Sequence, residues 1–236
     1  MGQARRNVAR FLPIAVPLAL SAMAGGARAG PPVLTVCSFG DSILDCGHYN
    51  PHGVHPAQLL VRNDDRLFPE FAGRDLASRR PARLVHRAVD GATVSGLQAQ
   101  MQGLRAAGES LALLTVGGND LLRGLAADRG SGLLAFEKAL ESFLVRLPVR
   151  PVLVGSVYDP TFGKDENNFL AVDPRVARAN LRRMNEILSA MGTRFGRAVD
   201  IHAHFMTGDA SWFTRTIEPS LTGASEIRRA FLAATA

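Results

Sequence analysis

Apolar runs that stop at glycine recur along the chain and set its frame. The stretch over 33–47, VLTVCSFGDSILDCG, is apolar as far as Phe39, breaks at Gly40-Asp41-Ser42 and resumes at Ile43 as a helix start. A similar run over 110–116, SLALLTV, breaks at Gly117-Gly118-Asn119-Asp120, and another over 151–157 reads PVLVGSV. Nearly uninterrupted runs of this kind suit parallel strands covered on both faces. A further strand is expected over 83–89, RLVHRAV, ending at Asp90-Gly91, and a short fifth over 197–201. Helical spacing is expected over 67–77, 95–107, 121–127, 133–147, 174–191 and 222–233, with Pro174 near the first turn of its helix. The stretch HYNPHGVHPAQ over 48–58, the polar insertion over 158–173 and the segment 202–220 have loop composition. Strands alternating with helices predict an α/β fold: one domain, a three-layer α/β/α sandwich around a parallel sheet of about five strands.

The first thirty residues stand apart. Arg5, Arg6 and Arg10 precede an apolar stretch over 11–24, and Ala27-Arg28-Ala29 forms an A-x-A site before Gly30. This is the layout of a secretory signal peptide over 1–29, with an apolar part short for a membrane span, and the domain is expected over 30–236. An Arg/Ala-rich leader from an over-long start is the other reading. The leader carries four arginines and no acids, so the chain's 27 basic and 21 acidic residues become 23 and 21 without it, and the net charge falls from +6 to +2. The body has no long basic run, and nucleic acid is not an expected partner. The mature chain is expected to be exported, periplasmic or secreted, with no stable membrane span; without a genuine leader it is expected in the cytoplasm. Cys37 and Cys46 fall on either side of the turn at 40–42, with side chains expected to diverge, and are read as buried thiols outside any metal-ligand spacing.

Three expected strands end in residues suited to acyl transfer, and in a parallel sheet those ends share one edge. Ser42 sits where a strand turns into a helix and is a candidate nucleophile, although Gly-Asp-Ser also makes an ordinary capped turn. The backbone N–H of Ser42, the backbone N–H of Gly91 and the side-chain amide of Asn119 are candidate donors to a developing oxyanion. Gly91 permits close backbone approach and Asn119 offers a donor that does not titrate. With these blocks in order (Gly40-Asp41-Ser42 continued by Asp45 and Gly47, then 90–93, then 117–120), the chain resembles the SGNH hydrolases, also called GDSL esterases and lipases. The resemblance covers residues from about 33 to the C-terminus. It implies a flavodoxin-like sandwich and ester hydrolysis through an acyl-serine at Ser42, with Gly91 and Asn119 in the oxyanion hole. Its implied substrate is a small-molecule, carbohydrate or lipid ester, with no cofactor.

The family's last block, Asp-x-x-His-Pro, is altered here: Arg215 stands at the Asp position and Glu218 at the His position, before Pro219. Glu218 is a candidate base whose reference pKa, about 4.3, burial would raise and Arg215 would lower. A structural ion pair with Arg215, or a cap on the last helix, is the alternative. His202 and His204 are the other candidate bases; as a strand continuation they would share one face, with Asp200 or Asp209 to orient His204. His48, His52 and His55 follow Ser42 too closely to face back onto it and are expected at most at a pocket mouth. His86 is read as a core or sheet-face residue, and Tyr158, Phe162, Trp212 and Phe213 as pocket walls or ordinary packing. A non-catalytic ligand-binding protein on the same scaffold is the alternative function. A redox or nucleotide-binding role is disfavoured, because no phosphate-cradling glycine loop follows the first strand.

Overall fold

A computed structural model describes Met1 and residues 31–105 and 108–235. The leader expected over 1–29 lies outside the described residues apart from Met1. From Pro31 onward the chain forms one compact unit. Its sheet contains β1 (Leu34–Gly40), β2 (Ala82–His86), β3 (Ser110–Thr115), β4 (Val152–Gly155) and β5 (Gly196–Val199), all parallel, in the order β2-β1-β3-β4-β5. This is the expected α/β/α sandwich, and side-chain alternation along the strands shows why. Cys37, Phe39, Ala112, Leu114, Val152 and Val154 point to one core; Val36, Leu111, Leu113 and Leu153 point to the other. Both faces are covered, so both sets of alternating positions must be apolar.

The first face carries α3 (Leu97–Gln100), α4 (Gly118–Leu122), α5 (Gly132–Arg146) and α6 (Pro174–Phe195). The second carries α1 (Pro56–Val61), α2 (Leu76–Arg79), α7 (Ile201–Phe205) and α8 (Leu221–Ala233). Helix α6 starts where Asp173 accepts a hydrogen bond from the Arg175 N–H, with Pro174 in the first turn.

Some expected elements are corrected. The helix over 67–77 is a 3-10 turn at Pro69–Phe71 followed by the four residues of α2, with Gly73 between them at φ +71°. Of the helix over 95–107, the described residues form a 3-10 turn at Val94–Gly96 and the short α3, and 106 and 107 lie outside the described residues. The loop over 48–58 runs into α1, whose N-cap is His55 and whose first turn holds Pro56. The loop over 202–220 contains most of α7 and a small antiparallel hairpin, β6 (Phe213–Thr214) with β7 (Glu218–Pro219).

The strand order places a switch point between β1 and β3. From β1 the chain crosses to β2 on one side, and β3 pairs on the other side. Such a reversal opens a crevice at the carboxyl ends of the two strands. The Gly40-Asp41-Ser42 and 117–120 blocks both leave the sheet there.

Candidate active site

The turn that carries Ser42 is fixed from several directions. Gly40 has φ +120°, and a Cβ there would lie 1.6 Å from the Thr115 carbonyl oxygen, so no other residue fits. Its N–H donates to Gln100 Oε1 at 2.7 Å, and Gln100 Nε2 donates back to its carbonyl at 2.8 Å. Asp41 is buried and accepts from the Thr115 hydroxyl at 2.8 Å and the Ile43 N–H at 3.2 Å. Its carbonyl accepts from the N–H groups of Leu44 and Asp45. Burial pushes the Asp41 carboxyl up to about 7, against the lowering effect of those hydrogen bonds. Ser42, only 8% exposed, lies at the wall of a cavity.

Asn119 and Glu218 line the same cavity. The Asn119 amide donates to the Ala92 carbonyl at 3.1 Å, which ties the start of α4 to the loop that follows β2. In that loop the Ala92 N–H bonds to the Val89 carbonyl, and Gly91 takes φ +74°, a conformation suited to glycine. Asp45 Oδ2 accepts from the Asp90 N–H at 2.9 Å, so the segment leaving Ser42 holds the Gly91 loop in place.

Glu218 reaches the cavity on the β6–β7 hairpin. Thr214 pairs with Glu218, and Arg215 and Thr216 turn the chain with φ of +47° and +73°. The Tyr158 hydroxyl donates to the Ile217 carbonyl at 2.7 Å and anchors the turn. The Glu218 carboxylate is half-buried, and its Oε2 is buried without a hydrogen-bond partner. Burial raises its pKa most. Hydrogen bonding from the Ser42 hydroxyl lowers it, Asp90 raises it, and His48 and Arg215 lower it; the net direction is upward. No ion pair joins Arg215 to Glu218 among the described residues. The Arg215 guanidinium lies over the Tyr49 ring, 5.1 Å from its centroid, and α8 is capped by Ser220.

The two histidines expected as bases lie elsewhere. The shared face expected of a strand is corrected: they sit in α7, where positions two apart are about 200° around the helix. His204 Nε2 pairs with Glu226 Oε2 of α8 at 2.9 Å. His202 lines a different pocket, with Arg178 and Asn185, and its Nδ1 is buried without a partner. Neither lines the cavity beside Ser42. Asp200 caps α7, and Asp209 accepts from Ser211, so neither orients His204.

His48 stands 3.1 Å from Asp90 Oδ2, which also accepts from the Tyr49 hydroxyl at 2.6 Å. His86 joins Ser38 Oγ at 2.6 Å and Asp45 Oδ1 at 3.2 Å, a Ser–His–Asp chain with no route for substrate because Ser38 is fully buried within β1. His55 stacks on His86, and burial lowers its pKa to about 4. Of the four aromatic residues considered as pocket walls, Tyr158 lines the cavity, backed by Phe205 and Phe213. Cys37 and Cys46 are free and buried. The 158–173 insertion, read from sequence as a loop over the site, does line the cavity; sequence reasoning missed Gln100, which belongs to no motif, and the apolar residues of α4 and α6 in the wall.

The sequence profile of the GDSL-like Lipase/Acylhydrolase family matches residues 38–224. Comparison with curated proteins gave no match. Among solved structures, Axe2, an acetylxylan esterase from Geobacillus stearothermophilus, has a TM-score of 0.59 at 20% identity, covering 85% of this chain and 93% of its own. The lipase Lip_vut3 from a goat rumen metagenome has a TM-score of 0.62 at 17% identity, covering 85% and 97%. LAE5, an alpha/beta hydrolase from the metagenome of Lake Arreo, Spain, has a TM-score of 0.59 at 24% identity, covering 85% and 94%. At such identities the likeness is one of fold. Two catalytic mutants of Axe2 have a serine and a histidine replaced by alanine.

Proposed function

The chain belongs to the GDSL-like lipase/acylhydrolase family, and from that premise we propose that it hydrolyses carboxylic esters through an acyl-serine at Ser42, with Glu218 as the general base. The observation that carries this reading is that Glu218, at the position where the family has its histidine, lines the same cavity as Ser42 and Asn119. Glu218 takes the hydroxyl proton as Ser42 Oγ bonds to the ester carbon. The carbonyl oxygen becomes an oxyanion, received by the N–H groups of Ser42 and Gly91 and by the Asn119 amide. Protonated Glu218 returns the proton to the leaving alkoxide as the C–O bond breaks, and water then repeats the sequence on the acyl-serine. Partial burial supports this role, because a carboxylate with a raised pKa is a better proton acceptor near neutrality. The Axe2 mutants point to a serine and a histidine in that esterase; here the roles divide between Ser42 and Glu218, and no role is assigned to His202 or His204.

The test is turnover of p-nitrophenyl esters by the purified chain, together with labelling of Ser42 by a fluorophosphonate. Both signals are expected, and both are expected to vanish in Ser42→Ala. No turnover and no labelling in the unaltered chain would remove the reading. A ligand-binding protein on the same scaffold is the second reading, favoured by the carboxylate in place of an imidazole; it predicts saturable ligand binding without hydrolysis, unaffected by Ser42→Ala. Export is proposed on the leader alone, with cleavage after Ala29. N-terminal sequencing of chain from the periplasm or medium should begin at Gly30, and an intact leader on cytoplasmic chain would refute export.

A further inference from the structure

We infer that the cavity beside Ser42 holds the acyl chain of the substrate and selects an unbranched alkyl acyl group of about six carbons over acetyl. The inference rests on the esterase reading and adds the substrate class. The cavity has a volume of about 130 Å³, and its wall is mainly apolar: Leu121, Leu122, Phe169, Leu170, Leu181 and Ile217 contribute to it. A dry cavity of about 150 Å³ lined by such residues accommodates benzene, which sets the scale at roughly six carbons. Charged groups also line the cavity, Lys164 among them; Arg178 is paired with Asp159 and Asp165.

The layers of the fold decide which half of the ester enters. Leu121, Leu170 and Leu181 pack with the core on the α5–α6 face of the sheet. The hairpin that carries Glu218 packs through Phe213 on the opposite face, with α8. The leaving oxygen must face Glu218 to receive its proton, so the alcohol departs toward the α8 side. The acyl chain then lies along the leucines of α4 and α6. Leu122 and Phe169, about two-fifths exposed, extend the apolar wall toward solvent.

The experiment is a series of p-nitrophenyl esters from acetate through butyrate, hexanoate and octanoate to laurate, run beside fluorophosphonate labelling of Ser42. Each buried methylene is expected to raise kcat/KM about fourfold. Hexanoate should therefore exceed acetate by roughly two-hundredfold, with a plateau once the chain outgrows the cavity. Leu181→Phe, which fills part of the cavity, should cut the hexanoate-to-acetate ratio at least about tenfold while Ser42 still labels. Hexyl acetate should gain nothing over ethyl acetate. A flat series, or one led by acetate, with Ser42 labelled would overturn the inference and leave the esterase reading standing. A gain confined to the alcohol side would overturn the acyl assignment. Absence of both turnover and labelling would remove the esterase reading and this inference together.

Discussion

Ser42 lies between two carboxylates whose protonation the fold controls differently. Glu218 is half-buried and lines the same cavity as Ser42, and burial raises its carboxyl above the ordinary glutamate value. Asp41 is sealed behind Ser42 and serves the turn through Thr115 and Ile43. Burial raises the Asp41 carboxyl from 3.8 to about 7, so the native state holds this proton more tightly than the unfolded chain does. The sign follows: its contribution to stability is full below pH 3.8 and is lost as pH rises through about 7. The loss is on the order of 4 kcal/mol. Urea unfolding at acid and neutral pH should show stability falling with pH across that window, and Asp41→Asn should flatten the fall. Parallel curves for the two proteins would show that Asp41 does not set it. Arg215 illustrates the opposite case: it was positioned in sequence to neutralise Glu218, yet its guanidinium is stacked on Tyr49. Glu218 therefore feels it as a nearby charge and keeps its oxygens free of an ion pair.

At the scale of elements, what could be read from sequence follows burial. β1, β3 and β4 are covered on both faces, so their apolar runs announced them. The three strand-end blocks were legible because each needs a particular residue where the chain leaves the sheet; Gly40 is the clearest, with a carbonyl oxygen where its Cβ would be. The short helices were not legible, because four to six residues give too little periodicity to separate a helix from a turn. In α7 a signal existed: Asp200 is an N-cap, and its side chain accepts from the Ala203 N–H. Reading Ile201 as the end of a strand concealed that cap, and with it the opposite orientations of His202 and His204. The β6–β7 hairpin left no such mark. Its turn uses Arg215 and Thr216 at positive φ, where glycine or asparagine would be expected. Gln100 was equally invisible, since its two bonds to the Gly40 backbone join positions 60 residues apart.

Across the whole molecule, the site is assembled from all three layers. The sheet supplies Ser42 and the turns beside it, the α8 side supplies Glu218, and the α4–α6 side supplies the apolar wall. The switch in strand order between β1 and β3 makes room for the cavity. In this division the family's histidine position lies on a hairpin that enters from one side, where the Tyr158 hydroxyl donates to its Ile217 carbonyl. The central claim is that Glu218 is that base. The most direct test is the pH dependence of kcat/KM for a p-nitrophenyl ester in the unaltered chain, in Glu218→Gln and in the double variant Arg215→Asp with Glu218→His. Because the carboxylate must be deprotonated to accept the proton, activity should fall as pH drops through a midpoint above the ordinary glutamate value of 4.5. Glu218→Gln should lose about 10²- to 10⁴-fold in rate together with that acid limb, and the double variant should move the limb toward the imidazole value of about 6.5. An unchanged rate and acid limb in Glu218→Gln would contradict the account.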